Sequence, residues 1–214
     1  MKFFALNIIA ISFVIVVSGS SCGEGLTIFA GIPPVAGIVK SLKTDADSIE
    51  ILIPPNADPH TFDISPVVLE RLSHSDVFFH THFPFEIKIT RVIKQTKSTV
   101  KCVDVTNGIK WIEASHIHHH SLNNEEIDDE HKDPHCWLCP DNIKIIASNI
   151  LDELIQHNPQ QNTEYKINYD KFIKRLEEVD KKIQSMLEPY KGRKFFVYHP
   201  AFAYFARAYN LEEV

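Results

Sequence analysis

The sequence predicts an α/β fold in which a parallel sheet is covered by helices, and three observations predict it. Short apolar runs of β type alternate with stretches whose apolar residues recur at steps of three and four, as strands feeding helices do. With 44% hydrophobic and 23% charged residues over 214 positions, the chain has the balance of a globular protein of one large domain or two small ones, which excludes disorder and collagen. A long polar segment near the end carries one narrow apolar seam, as a helix lying along a surface does.

The elements follow in order. Lys2, the apolar run Phe3 to Val17 and the small residues Ser18 to Ser21 have the charge, length and exit of a secretory signal over residues 1–21. The run is shorter than the ~20 apolar residues that cross a membrane, so export is expected. Cys22 after Gly19-Ser20-Ser21 resembles the lipobox of bacterial lipoproteins, in which this cysteine is acylated, although Gly19 stands where leucine is usual. Loss of the signal removes Lys2 and no acid, so the net charge moves from -6 to -7, with 21 bases left against 28 acids. Such a chain has nothing to draw it to nucleic acid, and no nucleic-acid partner is expected.

Leu26 to Ala30, then Val35, Ile38, Val39 and Leu42 at helical spacing, then Ile49 to Ile53 make a βαβ unit. Ser65-Pro66 starts a helix, the serine free to cap and the proline tolerated in the first turn, with Val67, Val68, Leu69 and Leu72 on its buried face. A strand at Val77 to His80, a helix through Ile87, Val92 and Ile93 and a strand at Val100 to Val105 complete the alternation that implies a parallel sheet. Periodicity then disappears, and residues 116–133 form a polar, acidic, histidine-rich stretch that reads as a loop. Helical spacing resumes from Ile143 to Ile155 and stops at Asn158-Pro159. The seamed helix follows, with Tyr169, Phe172, Leu176, Val179, Ile183 and Met186 on its apolar side, and over 165–188 it would run roughly 36 Å. Lys194 to Tyr198 is the next strand, and Phe202, Phe205, Ala206 and Tyr209 begin one more helix. No closing strand for a second sheet precedes Val214, so an interrupted domain with an uncovered apolar helix face is expected.

Seven glycines and four cysteines exclude a glycine-rich phosphate cradle spread along the chain and a small disulfide scaffold. With Cys22 set aside, Cys102, Cys136 and Cys139 are odd in number, so one thiol should stay free in an oxidising compartment. Twelve histidines are the anomaly. His60 follows the strand Ile49 to Ile53, His135 precedes the helix at Pro140, and His199 ends the strand Lys194 to Tyr198. Each sits beside a proline, in Asp58-Pro59-His60, Asp133-Pro134-His135 and His199-Pro200, which fixes the local backbone. Carboxyl ends of parallel strands are where ligands bind, and three imidazoles suit Zn²⁺.

Pro59-His60-Thr61-Phe62 with Ser65-Pro66, Asp133-Pro134-His135-Cys136-Trp137-Leu138-Cys139-Pro140, and His199-Pro200-Ala201-Phe202-Ala203-Tyr204-Phe205 resemble the three ligand motifs of the solute-binding proteins of bacterial zinc and manganese ABC importers. The likeness runs from Leu26 to Val214 and includes the Tyr190-Lys191-Gly192-Arg193-Lys194 approach to the last strand. It implies two α/β lobes joined by one long rigid helix with the metal between them: an N-terminal lobe over 22–158, the linking helix over 159–189, and the start of an incomplete C-terminal lobe over 190–214. His60, His135 and His199 are then the metal ligands. Manganese members resemble this plan with a glutamate where His199 stands, so the nitrogen ligand implies zinc rather than the manganese or iron type. The loop with His116, His118, His119, His120 and His131 resembles the histidine-rich loop of zinc members and implies loose, rapidly exchanging zinc.

Several positions depart from the pattern. His82 stands where the family usually has glycine, in a segment ending at Glu86, from which an acid sometimes approaches the metal; His80, His82 and Glu86 are therefore auxiliary candidates. Cys139 takes the place of a helix-capping serine, and the C-x-x-C spacing of Cys136 and Cys139 at a helix start is one that can lower a thiol pKa. The resemblance implies a monomeric protein in the periplasm or on the outer face of the membrane, anchored through Cys22, that captures Zn²⁺ for an ABC permease and catalyses nothing. A zinc metallohydrolase is the enzyme alternative, but no general base stands at fixed spacing from a ligand as in H-E-x-x-H. An adhesin-like surface protein is the third reading.

Overall fold

Four of the six α-helices among the described residues begin on proline, because the fixed φ suits the first turn and the missing N–H is one that no helix uses there. They are α1 (Pro33–Leu42), α2 (Pro66–Ser73), α3 (Pro84–Gln95) and α4 (Pro140–His157). The structure is a computed structural model that describes residues 25–54, 56–59, 61–81, 83–113 and 132–214. The strands between these helices are β1 (Thr27–Ala30), β2 (Ser48–Ile51), β3 (Val77–His80) and β4 (Lys101–Asp104).

All four strands pair in parallel in the order β2-β1-β3-β4. The two central strands bury Ile28, Phe29, Val77, Phe78 and Phe79 almost completely, whereas β2 and β4 at the edges are half-buried. Because β1 leads outward to β2 and the next crossover returns past it to β3, right-handed connections put α1 on one face and α2 and α3 on the other. The helices α4 and α5 (Asn162–Leu187) pack against α1 and one another, completing that layer. The expected sheet and its flanking helices are therefore present.

The long helix is 26 residues, about 39 Å at 1.5 Å per residue. Its seam differs from expectation. Tyr169, Phe172, Leu176 and Ile183 are only partly covered, and Val179 and Met186 are exposed. The anchor is instead Tyr165, fully buried, whose hydroxyl donates to Asp47 Oδ2 at 3.0 Å. Asp47 also accepts from Leu26 N at 2.8 Å and from Thr44 N and Oγ1 at 2.9 and 3.0 Å, so one buried carboxylate ties the helix to the start of the sheet. At the other end, Tyr209 donates to Asp180 Oδ1 at 2.9 Å.

Beyond α5, β5 (Lys194–Phe195), α6 (Ala203–Tyr209) and β6 (Glu212–Glu213) form a second, two-stranded parallel sheet. This corrects the expectation that no strand follows β5. Val214 N donates to Phe195 O at 2.9 Å and Val197 N to Val214 O at 3.0 Å, so the pairing runs past both short strands. Glu213 Oε1 accepts from Ala201 N and Phe202 N at 2.9 and 3.0 Å and pins the turn before α6. The expected strand to Tyr198 ends early, and Phe196 and Tyr198 are exposed.

Candidate metal centre

The carboxyl ends of β1 and β3 meet where the chain direction across the sheet reverses, which is where open α/β sheets build their sites. Glu86 is completely buried there. Its Oε2 accepts from Thr81 N at 2.9 Å, Thr81 Oγ1 at 2.7 Å and Phe83 N at 3.2 Å, drawing the turn after β3 tightly round the first turn of α3. Gly31, just past β1, leaves the room this requires, since a Cβ there would overlap the Glu86 carboxylate. Glu86, expected as an auxiliary metal ligand, thus has a visible task in shaping the turn. His80 lies at the end of β3, its Nδ1 3.0 Å from Thr81 O and its ring tilted against Phe78.

Of the three expected ligands, the structure describes two and brings them together. The ring centroids of His135 and His199 are 5.5 Å apart, at an interplanar angle of 78°. They come from opposite sides of α5: His135 precedes the short 3-10 turn Cys136–Leu138 and α4, and His199 lies in the bend between β5 and α6. His135 is buried, with Phe83 and Trp137 edge-on to its ring at centroid distances of 6.0 and 5.4 Å. Asp133 Oδ1 accepts from His135 N at 3.0 Å and lies 2.7 Å from its Nδ1. His199 is exposed.

His60, the third expected ligand, lies outside the described residues, as do His82, His116, His118, His119, His120, His131 and Cys22. Among the described residues, no three His, Cys, Asp or Glu side chains gather closely enough to hold a metal ion. The described residues on either side of 114–131 pair with one another: Glu113 and Lys132 form an isolated antiparallel β-bridge, Asp133 N donates to Ile112 O at 2.9 Å, and Lys132 lies 5.1 Å above the Trp111 ring. Ile112 N in turn donates to the buried Tyr204 hydroxyl of α6 at 3.0 Å.

The cysteines behave differently from expectation. Cys102, Cys136 and Cys139 are all free thiols. Burial, reinforced by the neighbouring Asp133, pushes the Cys136 thiol up to about 12, the opposite of the activation its C-x-x-C spacing allows. Cys139 is the N-cap of α4 but makes no side-chain capping bond there.

Residues 28–214 match the family described as ZnuA, zinc-uptake complex component A, periplasmic. The chain belongs to this family. Against the high-affinity zinc uptake system protein ZnuA of Bacillus subtilis it is 25% identical over 199 residues, covering 92% of this chain and 62% of that one. Against zinc-binding protein AdcA of Streptococcus pyogenes it is 27% identical over 196 residues, covering 85% of this chain and 37% of the other. A zinc-bound crystal structure of a ZnuA deletion mutant superposes with a TM-score of 0.78 at 30% identity, over 89% of this chain and 69% of that one. The Zn(II)-bound ZnuA-like domain of Streptococcus pneumoniae AdcA, with a TM-score of 0.75 and 24% identity over 89% of this chain and 66% of its own, supports the fold. The chain therefore shares the α/β fold of these structures, a parallel sheet flanked by helices, and spans about two thirds of their length.

The candidate histidines of this ZnuA-family chain stood out in the sequence because prolines stand beside them. Sequence reasoning missed Gly31 and the structural use of Glu86, whose carboxyl reaches back to Thr81 and Phe83 in the turn before its own helix. It also missed Asp133, although the Asp-Pro-His spelling placed a carboxylate two residues from a ligand candidate.

Proposed function

We propose that this chain captures Zn²⁺ outside the cytoplasmic membrane with His60, His135 and His199 and delivers it to the permease of an ABC importer. The observation that carries the reading is the meeting of His135 and His199, one on each side of the long helix, at a ring separation of 5.5 Å. Imidazole nitrogen suits zinc, a borderline ion taken by nitrogen at about 2.0–2.1 Å. Family membership and zinc-bound relatives support the same assignment.

On this reading residues 1–21 are the export signal and Cys22 the lipid-anchored start of the mature, monomeric protein. Residues 22–158 form the N-terminal lobe with its loop 116–133, residues 159–189 the linking helix, and residues 190–214 the start of the C-terminal lobe. The zinc is cargo and no reaction is catalysed. The histidine-rich loop holds further zinc weakly, its imidazoles interleaved with Glu125, Glu126, Asp128, Asp129 and Glu130.

Metal analysis and calorimetry with zinc chloride and manganese chloride test the proposal. One tight zinc equivalent is expected, with weaker ones that vanish when residues 116–131 are deleted. Tighter manganese binding, loss of the tight site on that deletion, or hydrolytic activity abolished by a chelator would each overturn it.

A further inference from the structure

A buried carboxylate stands behind one of the two described ligand candidates, and its geometry says more than proximity. Asp133 and His135 are 6% and 8% exposed, so water competes little for the bond between them. One oxygen, Asp133 Oδ1, lies 3.0 Å from the backbone nitrogen of His135 and 2.7 Å from its Nδ1. A carboxylate oxygen at this distance accepts from Nδ1, and in a neutral ring that carries its proton on Nδ1 the lone pair sits on Nε2. Gripped at backbone and ring by one atom, with Phe83 and Trp137 edge-on to it, the imidazole is restrained in both rotation and tautomer.

The carboxylate is itself located from several directions. Asp133 N donates to Ile112 O, Pro134 fixes the backbone that follows, and Ile112 N donates to Tyr204 on α6. The grip on His135 thus starts beside the isolated antiparallel bridge between Glu113 and Lys132 and not from a lone loop residue.

We infer that Asp133 is a positioning residue that holds His135 as the Nδ1–H tautomer and so prepares Nε2 to take a divalent cation. The inference rests on the assignment of His135 as a zinc ligand. A carboxylate behind a ligating histidine orients the ring and raises its basicity, and losing such a partner typically costs about 10–100-fold in metal affinity.

Two substitutions in the full chain separate position from charge. Asp133→Asn keeps an acceptor oxygen at the same reach and loses the charge; Asp133→Glu keeps the charge and moves the acceptor by one methylene. The tautomer of His135 is read in metal-free protein from ring ¹⁵N shifts, the signal identified by its absence in His135→Gln, and zinc affinity is read by calorimetry with zinc chloride. Asp133→Asn is expected to retain the Nδ1–H form and stay within a few-fold of the parent affinity, and Asp133→Glu to lose both, with affinity falling about 10–100-fold. Affinity that follows the tautomer across the variants sustains the inference. Affinity that falls while Nδ1–H persists, affinity that survives its loss, or a tautomer neither variant changes overturns it. A parent chain with Nδ1–H in place but no tight zinc would instead sink the assignment of the site, so the two failures are distinguishable.

Discussion

His135 stands on a buried carboxylate between two aromatic rings, whereas His199 is exposed in a bend that follows a two-residue strand. The frames behind them differ in the same sense. Behind His135 lies a four-stranded sheet whose central residues Ile28, Phe78 and Phe79 are fully buried. Behind His199 lies one βαβ unit with Phe196 80% exposed and Tyr198 wholly so. A ligand ordered before the ion arrives adds its bond without an ordering cost, while an exposed side chain must be immobilised, at about 0.5–1.5 kcal/mol. On the proposed zinc site the first region would serve as the template for the metal and the second as the part ordered on it.

Breaking the template should have the largest effect. In Gly31→Ala the new methyl would overlap the Glu86 carboxylate, displacing a buried charge from three donors, at an expected cost of about 3–5 kcal/mol. Phe196→Ala in the second region removes an exposed ring and should stay within about 0.5 kcal/mol. Urea titration of both variants checks the contrast, and similar losses would show that the two regions are equally tight.

The histidines come next. His135→Ala is expected to lower zinc affinity on the order of 100-fold and His199→Ala on the order of 10-fold, differences of about 2.7 and 1.4 kcal/mol. His74 and His157 provide controls, because their rings are engaged with Glu70 O and with Glu153, away from the site. Calorimetry giving equal losses at His135 and His199 would remove the asymmetry, and equal losses at all four would remove the site.

The same contrast explains what was legible in the sequence. The strands of the first sheet were readable because Phe29, Phe78 and their neighbours are apolar by position, and the helix starts at Pro66 and Pro140 were marked by proline, while those at Pro33 and Pro84 went unread. The strand β6 was not, because Glu212 and Glu213 carry no apolar pattern and pair through their backbone with β5. The seam of α5 looked complete from periodicity, yet the helix is held by Tyr165 on Asp47, a contact across 118 positions that no local window contains. Histidines beside prolines announced the ligand candidates; the bond from Asp133 that orders one of them is a matter of geometry.

The two tyrosine anchors of α5 sharpen the comparison on a smaller scale. Tyr165→Phe deletes a bond to a buried carboxylate with three other donors and should cost about 1.5–3 kcal/mol, whereas Tyr209→Phe at the half-buried Asp180 should cost about 0.5–1.5 kcal/mol. Thermal unfolding separates them. A Tyr209→Phe variant as damaged as Tyr165→Phe would mean that the far end of the helix is held as firmly as the near one.

The smallest effect is expected at Cys136, where the template's burial predicts silence. Its thiol is raised from 9.0 to about 12 in the folded chain, first by desolvation and then by Asp133. Below pH 9 both folded and unfolded forms keep this proton, so the group adds no pH dependence to stability at neutral pH. Above pH 9 the unfolded thiol ionises while the folded one stays protonated, so its contribution to stability falls as pH rises from 9 towards 12. Because the thiolate is the reactive form, iodoacetamide at pH 8 should leave Cys136 untouched in the native chain and label it after unfolding in guanidinium. Peptide mass spectrometry reads the outcome. Native labelling of Cys136 as fast as that of the unfolded chain would show that the ground beneath His135 opens to solvent, and the distinction between a fixed ligand and an ordered one would fall with it.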